Sequence, residues 1–164
     1  MGCIPTNEFL MWSNCGNNCK FCWQKKRADQ RTILNESEKI ASIDACMSML
    51  SNLRDSDVLI VGGEVYAPQE PSVNAELSKL FALIANKIKL GEIRYFYVNT
   101  NLAYNDMVNI DSLMTAFIGI ESSIKFTTSY DVYGRFASIE EEDAFIERSH
   151  NLTVKYPMLK KYVT

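Results

Sequence analysis

The fold of this chain is most tightly constrained by a regular alternation between short apolar runs and longer segments of helical periodicity. The clearest apolar run is DVLIV at 57–61, which is rich in β-branched residues and suits a strand buried on both faces. A first apolar run occurs at 8–12 (EFLMW), and further strands are predicted at 94–98 (RYFYV) and 124–130 (IKFTTSY). Strands that alternate with helices predict parallel pairing, right-handed crossovers and helices outside the sheet.

The segments between the apolar runs carry helix signals. Asn35, with Glu38 three residues on, predicts a helix start, and Gly91 predicts the end of the second helix. A short helix is expected near 110–116, and Ser138 predicts the start of a last helix. Apolar residues recur at helical spacing in both of the first two helices. In the first helix they are Ile40, Ile43, Met47, Leu50 and Leu53. In the second helix they are Val73, Leu77, Leu80, Phe81, Ile84 and Ile88.

The strand–helix unit repeats about four times, and KKYVT at the end of the chain is predicted to begin a fifth strand. A complete eight-unit barrel takes roughly 200 residues or more, whereas this chain has 164. We therefore expect a single α/β domain over residues 1–164, built as a partial (β/α) barrel of about four to five units with a parallel sheet. It is either open or the front part of a longer barrel. Its last strand edge should be capped by the last helix or paired with a second chain or a second copy.

Composition and charge exclude several classes of function. The 17 Lys and Arg residues against 20 Asp and Glu residues give a net charge of −3, so no basic field predicts nucleic-acid binding. No apolar run is long enough to span a membrane, and the N-terminus lacks a signal-peptide pattern. Five cysteines without an export signal favour a reducing cytoplasm over a disulfide framework. Cys46 lies in a helical apolar stripe and is predicted to be a small buried residue.

Three further cysteines form a compact motif with the spacing C-x3-C-x2-C, at Cys15, Cys19 and Cys22. This spacing suits three irons of a cubane cluster, whereas a structural zinc site usually needs four protein ligands. His150 is far along the chain, and Cys3 precedes the first strand and would have to reach its opposite end. We therefore favour iron–sulfur over zinc, and three ligands leave one metal position open to an exogenous ligand.

A second motif, Gly62-Gly63-Glu64, follows the strand predicted at 57–61. In parallel α/β folds this end of a strand lies at the edge where ligands bind. The glycines allow close approach of the main chain to a ligand, and Glu64 could accept a hydrogen bond from an ammonium group. The alternative is a turn followed by a solvated glutamate, which the tripeptide alone would favour.

Together the two motifs resemble those of the radical S-adenosylmethionine (radical SAM) superfamily of the CxxxCxxC type, including the aromatic Phe21 before the last cysteine. The resemblance implies an enzyme with a [4Fe-4S] cluster, held by the three cysteines, whose unique iron binds SAM. It also implies that one electron, from a reduced flavodoxin- or ferredoxin-type donor, cleaves SAM to methionine and a 5′-deoxyadenosyl radical. That radical abstracts hydrogen from a substrate, which could be a peptide or protein, a nucleobase or a small metabolite.

The resemblance also implies roles for single residues at the site. Phe21 would pack near the adenine, and Gly62, Gly63 and Glu64 would meet the methionine amino group. By analogy with the family, Ser129 would meet the ribose hydroxyls and Arg135 the SAM carboxylate, and the position of Asn99 suits a contact with the ribose or the substrate. Polar residues at strand ends often only satisfy backbone groups, so this alternative stays open for each, and no catalytic residue acting on the substrate is assigned.

Two other functions fit part of the pattern. One is an iron–sulfur electron-transfer module that does not cleave SAM. The Gly62-Gly63-Glu64 motif would then have no reason to accompany the cysteines. The other is a glycyl-radical-activating enzyme. Such enzymes generally carry a proline directly after the tripeptide, whereas Val65 stands there in this chain.

Overall fold

The computed structural model describes residues 6–12, 20, 34–62, 65–100, 108–128 and 136–157, and along these residues four strands alternate with four helices. The strands are β1 (Thr6–Leu10), β2 (Ser56–Gly62), β3 (Ile93–Asn99) and β4 (Ile124–Thr127). The helices are α1 (Glu36–Ser51), α2 (Pro71–Lys89), α3 (Val108–Ala116) and α4 (Ile139–Lys155), and a 3-10 turn at Glu121–Ser123 leads into β4. The predicted α/β alternation is confirmed. The strand predicted from KKYVT lies outside the described residues.

The four strands form one parallel sheet and lie side by side in the order β1-β2-β3-β4. The register aligns Phe9 with Val61, Val61 with Val98, and Val98 with Phe126. Each strand is thus the spatial neighbour of the next one in sequence. The predicted parallel sheet is confirmed, and β1 and β4 are its two edge strands as far as the described residues go.

The two faces of the sheet differ in burial. One face is buried over its central part, where its side chains belong to a single apolar cluster with residues of all four helices; these side chains are Leu59, Val61, Phe96, Val98, Ile124 and Phe126. The opposite face is only half-buried at Val58, Ile60, Tyr95 and Tyr97. The sequence predicts that β2 is buried on both faces. The structure buries Leu59 and Val61 on the face against which the helices pack, whereas Val58 and Ile60 on the other face are only half-buried.

The local helix signals in the sequence are confirmed. Asn35 caps α1, because its Oδ1 accepts a hydrogen bond from Glu38 N at 3.0 Å while the Glu38 carboxylate accepts from Asn35 N at 2.8 Å. The Ser138 hydroxyl oxygen accepts from Glu141 N at 3.3 Å and starts α4. Gly91 follows α2 with φ of 74°, a left-handed conformation that favours glycine. None of the helices in the described segments is both long enough and apolar enough to cross a membrane.

Lys87 on α2 is a buried lysine that connects three elements at the amino edge of the sheet. Its Nζ donates to the main-chain oxygens of Ser51 (3.1 Å) and Leu53 (3.0 Å) at the end of α1, and it pairs with the Glu92 carboxylate at 2.8 Å. The Lys87 hydrogen bond holds the pKa of the Glu92 carboxyl below its ordinary value. Arg54 pairs with the same carboxylate at 2.9 Å. The lysine charge is thus fully compensated where α1, α2 and the turn before β3 meet.

We expect Lys87→Met to lower the free energy of unfolding by about 1–3 kcal/mol, because the carbonyl groups at the end of α1 lose their donor. The matched control is Lys89→Met, which removes the same charge from an exposed position two residues further along α2. That change should stay within about 0.5 kcal/mol. Urea denaturation measures both, and equal effects would contradict the structural role of Lys87.

Candidate functional site at the carboxyl edge of the sheet

The carboxyl ends of the four parallel strands lie at one edge of the sheet. β1 and β2 end beside each other, since Leu10 pairs with Gly62 and Met11 N donates to Gly62 O at 3.3 Å. β3 and β4 also end together, with Asn99 paired to Thr127. Ligand sites of parallel α/β proteins lie at this edge, where the loops after the strands converge. It is therefore the candidate site.

Of the residues predicted to bind the cluster or SAM, the described residues include Gly62 and Asn99. Gly62 is buried and ends β2, whereas Asn99 is exposed and ends β3. The two lie on neighbouring strands, each one residue beyond the aligned pair of Val61 and Val98. The other predicted site residues lie outside the described residues, namely Cys15, Cys19, Phe21, Cys22, Gly63, Glu64, Ser129 and Arg135. Their roles stay predictions.

Asn99 has a structural partner at this edge. Its Oδ1 accepts a hydrogen bond from the Thr127 hydroxyl, which connects the ends of β3 and β4. Thr100 N donates to Thr127 O at 3.1 Å and continues the connection by one residue. The predicted contact of Asn99 with the ribose or the substrate is not tested by this geometry and stays a prediction.

The loop after β2 is buried at residues 65–67, although loops usually run over the surface. The Tyr66 hydroxyl donates to Val61 O at 3.2 Å, and the Tyr66 ring stacks on Phe81 of α2 with 6.2 Å between the ring centroids. Burial raises the pKa of the Tyr66 phenol, so the hydroxyl stays a protonated donor at neutral pH. Tyr66 therefore anchors the end of β2.

A second anchor for this loop comes from α3. Asn109 is 1% exposed, and its Nδ2 donates to Ala67 O at 2.6 Å. Gln69 Nε2 donates to the same oxygen at 3.2 Å. The sequence analysis missed both Tyr66 and Asn109. The apolar residues after Glu64 could have indicated a buried loop, but no local pattern reveals a contact between residues 42 positions apart.

Two buried side-chain oxygens have no hydrogen-bond partner in the described part of the chain, Asn109 Oδ1 and Thr128 Oγ1. Asn109 lies in the first turn of α3, which follows β3, and Thr128 is the first residue after β4. Both therefore belong to the carboxyl edge. A buried polar group without a partner costs about 1–3 kcal/mol, and an ordered water or a bound group can supply such a partner.

Cys46 differs from the cysteines of the predicted cluster. It lies on α1, is 4% exposed and belongs to the apolar cluster, as predicted. Burial raises the pKa of its thiol to about 11, which makes it a poor nucleophile and a poor metal ligand. Within the described ranges, no three His, Cys, Asp or Glu side chains are grouped closely enough to hold a metal ion. The predicted iron ligands lie outside those ranges.

An open cavity of about 470 Å³ lies at the opposite, amino edge of the sheet, and its lining includes Asp55, Asp57, Ile93 and Arg94. These residues are at or near the beginnings of β2 and β3, whereas Gly62 ends β2. The cavity is therefore separate from the candidate site.

The fold and the edge geometry define the class of protein: an α/β protein with a four-stranded parallel sheet and a candidate ligand site after the strand ends. Comparisons with protein-family models, with curated proteins and with solved structures find no match for the chain. Its function must therefore be inferred from its own residues.

The high thiol pKa of Cys46 predicts a loss of stability at alkaline pH. The folded-state pKa of about 11 lies above the ordinary value of 9.0, so the unfolded chain releases this proton first as the pH rises. The resulting stabilisation is complete below pH 9.0 and is lost progressively up to about pH 11. Cys46→Ala should show a smaller decrease in unfolding free energy over that window. Denaturant titrations at several pH values measure this, and parallel curves for the two proteins would contradict it.

Proposed function

We propose that this protein is a radical SAM enzyme that holds a [4Fe-4S] cluster at the carboxyl edge of its sheet. The observation that carries the proposal is the pairing of Leu10 with Gly62. The cysteine motif follows β1 in the sequence and the Gly-Gly-Glu motif begins with the last residue of β2, so the two motifs leave from neighbouring strand ends. Two motifs that share one ligand are expected to meet at such an edge.

The strand order supports a partial (β/α) barrel as the scaffold. When each strand pairs with the next one in sequence and every crossover is right-handed, all helices fall on one face of the sheet, as in a barrel. Doubly wound sheets reverse their strand order and carry helices on both faces. The unequal burial of Leu59 and Ile60, on opposite faces of β2, agrees with one-sided helices. On this view the half-buried face lines the inside of an open barrel of four to five units.

Each motif has a distinct task in this proposal. The thiolates of Cys15, Cys19 and Cys22 would bind three irons and leave the fourth free for the amino and carboxylate groups of SAM. A cluster held in this way would supply the electron for reductive cleavage of SAM, which the resemblance associates with hydrogen abstraction from a substrate. Gly62 and Gly63 would let the main chain approach SAM closely.

Charged and polar side chains would orient SAM. The Glu64 carboxylate would accept hydrogen bonds from the SAM ammonium group, and the Arg135 guanidinium would pair with its carboxylate. Phe21 would pack on the adenine, and Ser129 and Asn99 would contact the ribose hydroxyls. The clustered cysteines favour a reducing compartment, so the proposed enzyme would be cytoplasmic and would take its electron from a reduced flavodoxin- or ferredoxin-type donor.

The decisive test is the conversion of SAM to 5′-deoxyadenosine by the anaerobically reconstituted protein with dithionite as the electron source. We expect the unaltered protein to form this product. Cys19→Ala should lose both the iron and the product, because two remaining thiolates hold a cubane cluster poorly. The matched control is Cys46→Ala, which removes a buried thiol from α1 and should keep both.

Each result separates the proposal from an alternative. A protein that binds iron but forms no 5′-deoxyadenosine would be an iron–sulfur electron-transfer module. Zinc in place of iron, or full iron retention by Cys19→Ala, would contradict the cluster assignment itself.

Glu64→Gln tests the proposed contact with the SAM ammonium. The amide keeps the shape of the carboxylate but loses its charge, so SAM should bind roughly tenfold more weakly or worse while the iron content stays unchanged. The matched control is Glu70→Gln in the same loop. Glu70 pairs with Lys39 at 3.0 Å, and its loss should leave SAM affinity unaltered. Equal affinities for all three proteins, measured by equilibrium dialysis with labelled SAM, would return Glu64 to the role of a solvated residue.

A further inference from the structure

We propose that Tyr66 and Asn109 are positioning residues for SAM binding by the Gly-Gly-Glu motif at 62–64. They do so by fixing the main chain on either side of it, at Val61 and at Ala67. The inference rests on the proposed function, because it concerns how that function's SAM-binding segment is held. Neither residue belongs to the two sequence motifs.

The anchor on the near side is the Tyr66 hydroxyl. It donates to Val61 O, the carbonyl directly before Gly62, at 3.2 Å. The ring that carries this hydroxyl is 4% exposed and is stacked on Phe81, so its position is set by the core of the protein. Val61 is also paired with Phe9 and Val98 in the sheet, so the hydroxyl adds a side-chain hydrogen bond to the strand end that directly precedes the Gly-Gly-Glu motif.

The anchor on the far side is the Asn109 amide. Its Nδ2 donates to Ala67 O at 2.6 Å, and Asn109 is held in α3, which follows the neighbouring strand β3. The loop after β2 is thus connected to the beginning of the next helix at the carboxyl edge. With both anchors in place, the segment between Val61 and Ala67 has fixed ends.

The unpaired Oδ1 of Asn109 argues that this residue is not present for stability alone. The atom is buried and has no partner in the described chain, which is unfavourable for the folded state. Meanwhile Ala67 O has a second donor in Gln69 Nε2, so Asn109 is not needed to satisfy that carbonyl. An apolar side chain of similar size would therefore suit the fold at least as well.

Fixing the main chain at Val61 and Ala67 should affect ligand affinity, because the Gly-Gly-Glu motif between them is proposed to offer main-chain groups and a carboxylate to the same ligand. A preorganised segment does not lose conformational freedom when the ligand binds, so its affinity is higher than that of a mobile one. Removing an anchor should therefore weaken SAM binding even though neither side chain is proposed to touch SAM.

Tyr66→Phe keeps the stacked ring and removes the hydroxyl. We expect SAM to bind the cluster-containing protein about three- to tenfold more weakly, with unchanged iron content. The matched control is Tyr95→Phe on β3. It removes a hydroxyl from a half-buried tyrosine aligned with Val58, well before the carboxyl end of the strand, and it should leave SAM affinity unchanged.

Asn109→Leu separates a positioning role from a structural one, because SAM affinity and melting temperature should respond differently to this change. SAM affinity should fall by about three- to tenfold, whereas the melting temperature should stay the same or rise, since an unpaired buried acceptor is removed. A fall in both affinity and melting temperature would make Asn109 a structural residue and overturn its part of the proposal.

The measurement is equilibrium dialysis with labelled SAM under anaerobic conditions, on the full chain with its cluster. If the unaltered protein binds SAM and both variants bind it equally well, the positioning role is wrong while the proposed function stands. If the unaltered protein binds no SAM, the proposed function fails and this inference fails with it.

Discussion

Parallel pairing of β1 with β2 determines where the segments after these two strands begin, because it fixes the register of the two strand ends. The alignment of Phe9 with Val61 places both side chains on the helix-facing side of the sheet. A slip of one residue would turn a fully buried valine toward the more open face. Apolar packing on one side of the sheet therefore determines which residue of β1 lies beside the last residue of β2. Because the candidate site begins at these strand ends, its position depends on the apolar core.

One-sided packing has a second consequence for function. The helix-facing side is filled by large apolar residues such as Phe96 and Phe126. The other side carries a row that aligns Glu8, Ile60, Tyr97 and Lys125 across the four strands. A mixed row of charged, aromatic and aliphatic residues is unusual for a closed core and suits a surface that meets solvent or a ligand.

Much of the fold could be predicted from the sequence because its signals are local. The capping pair of Asn35 and Glu38 and the stop at Gly91 each depend on residues within one turn. The first apolar run was less informative: Met11 and Trp12 belong to it and are buried, yet β1 ends before them. Their apolar character made them resemble strand residues, whereas their backbone extends the ladder only through the hydrogen bond from Met11 N to Gly62 O.

For the candidate site the sequence offers motifs only, and their roles stay predictions. Tandem glycines and clustered cysteines are recognisable in one dimension because close approach and metal binding restrict residue type. The anchors at Tyr66 and Asn109 depend on contacts with Phe81 and Ala67 that exist only once the chain is folded. Tyrosine and asparagine are also common in ordinary loops and helices, so neither residue type alone points to such a role.

The two edges of the sheet distribute their polar interactions differently. At the amino edge the buried Lys87 has three partners, and the buried Ser56 hydroxyl accepts from Asn7 Nδ2 at 2.9 Å. At the carboxyl edge lie the two buried oxygens that lack partners in the described chain, on Asn109 and Thr128. In parallel α/β barrels the amino edge serves stability and the carboxyl edge serves chemistry. Along the described residues, the buried polar groups of the amino edge have partners within the chain, whereas these two oxygens do not, so the carboxyl edge is where the described chain leaves hydrogen-bonding capacity unused.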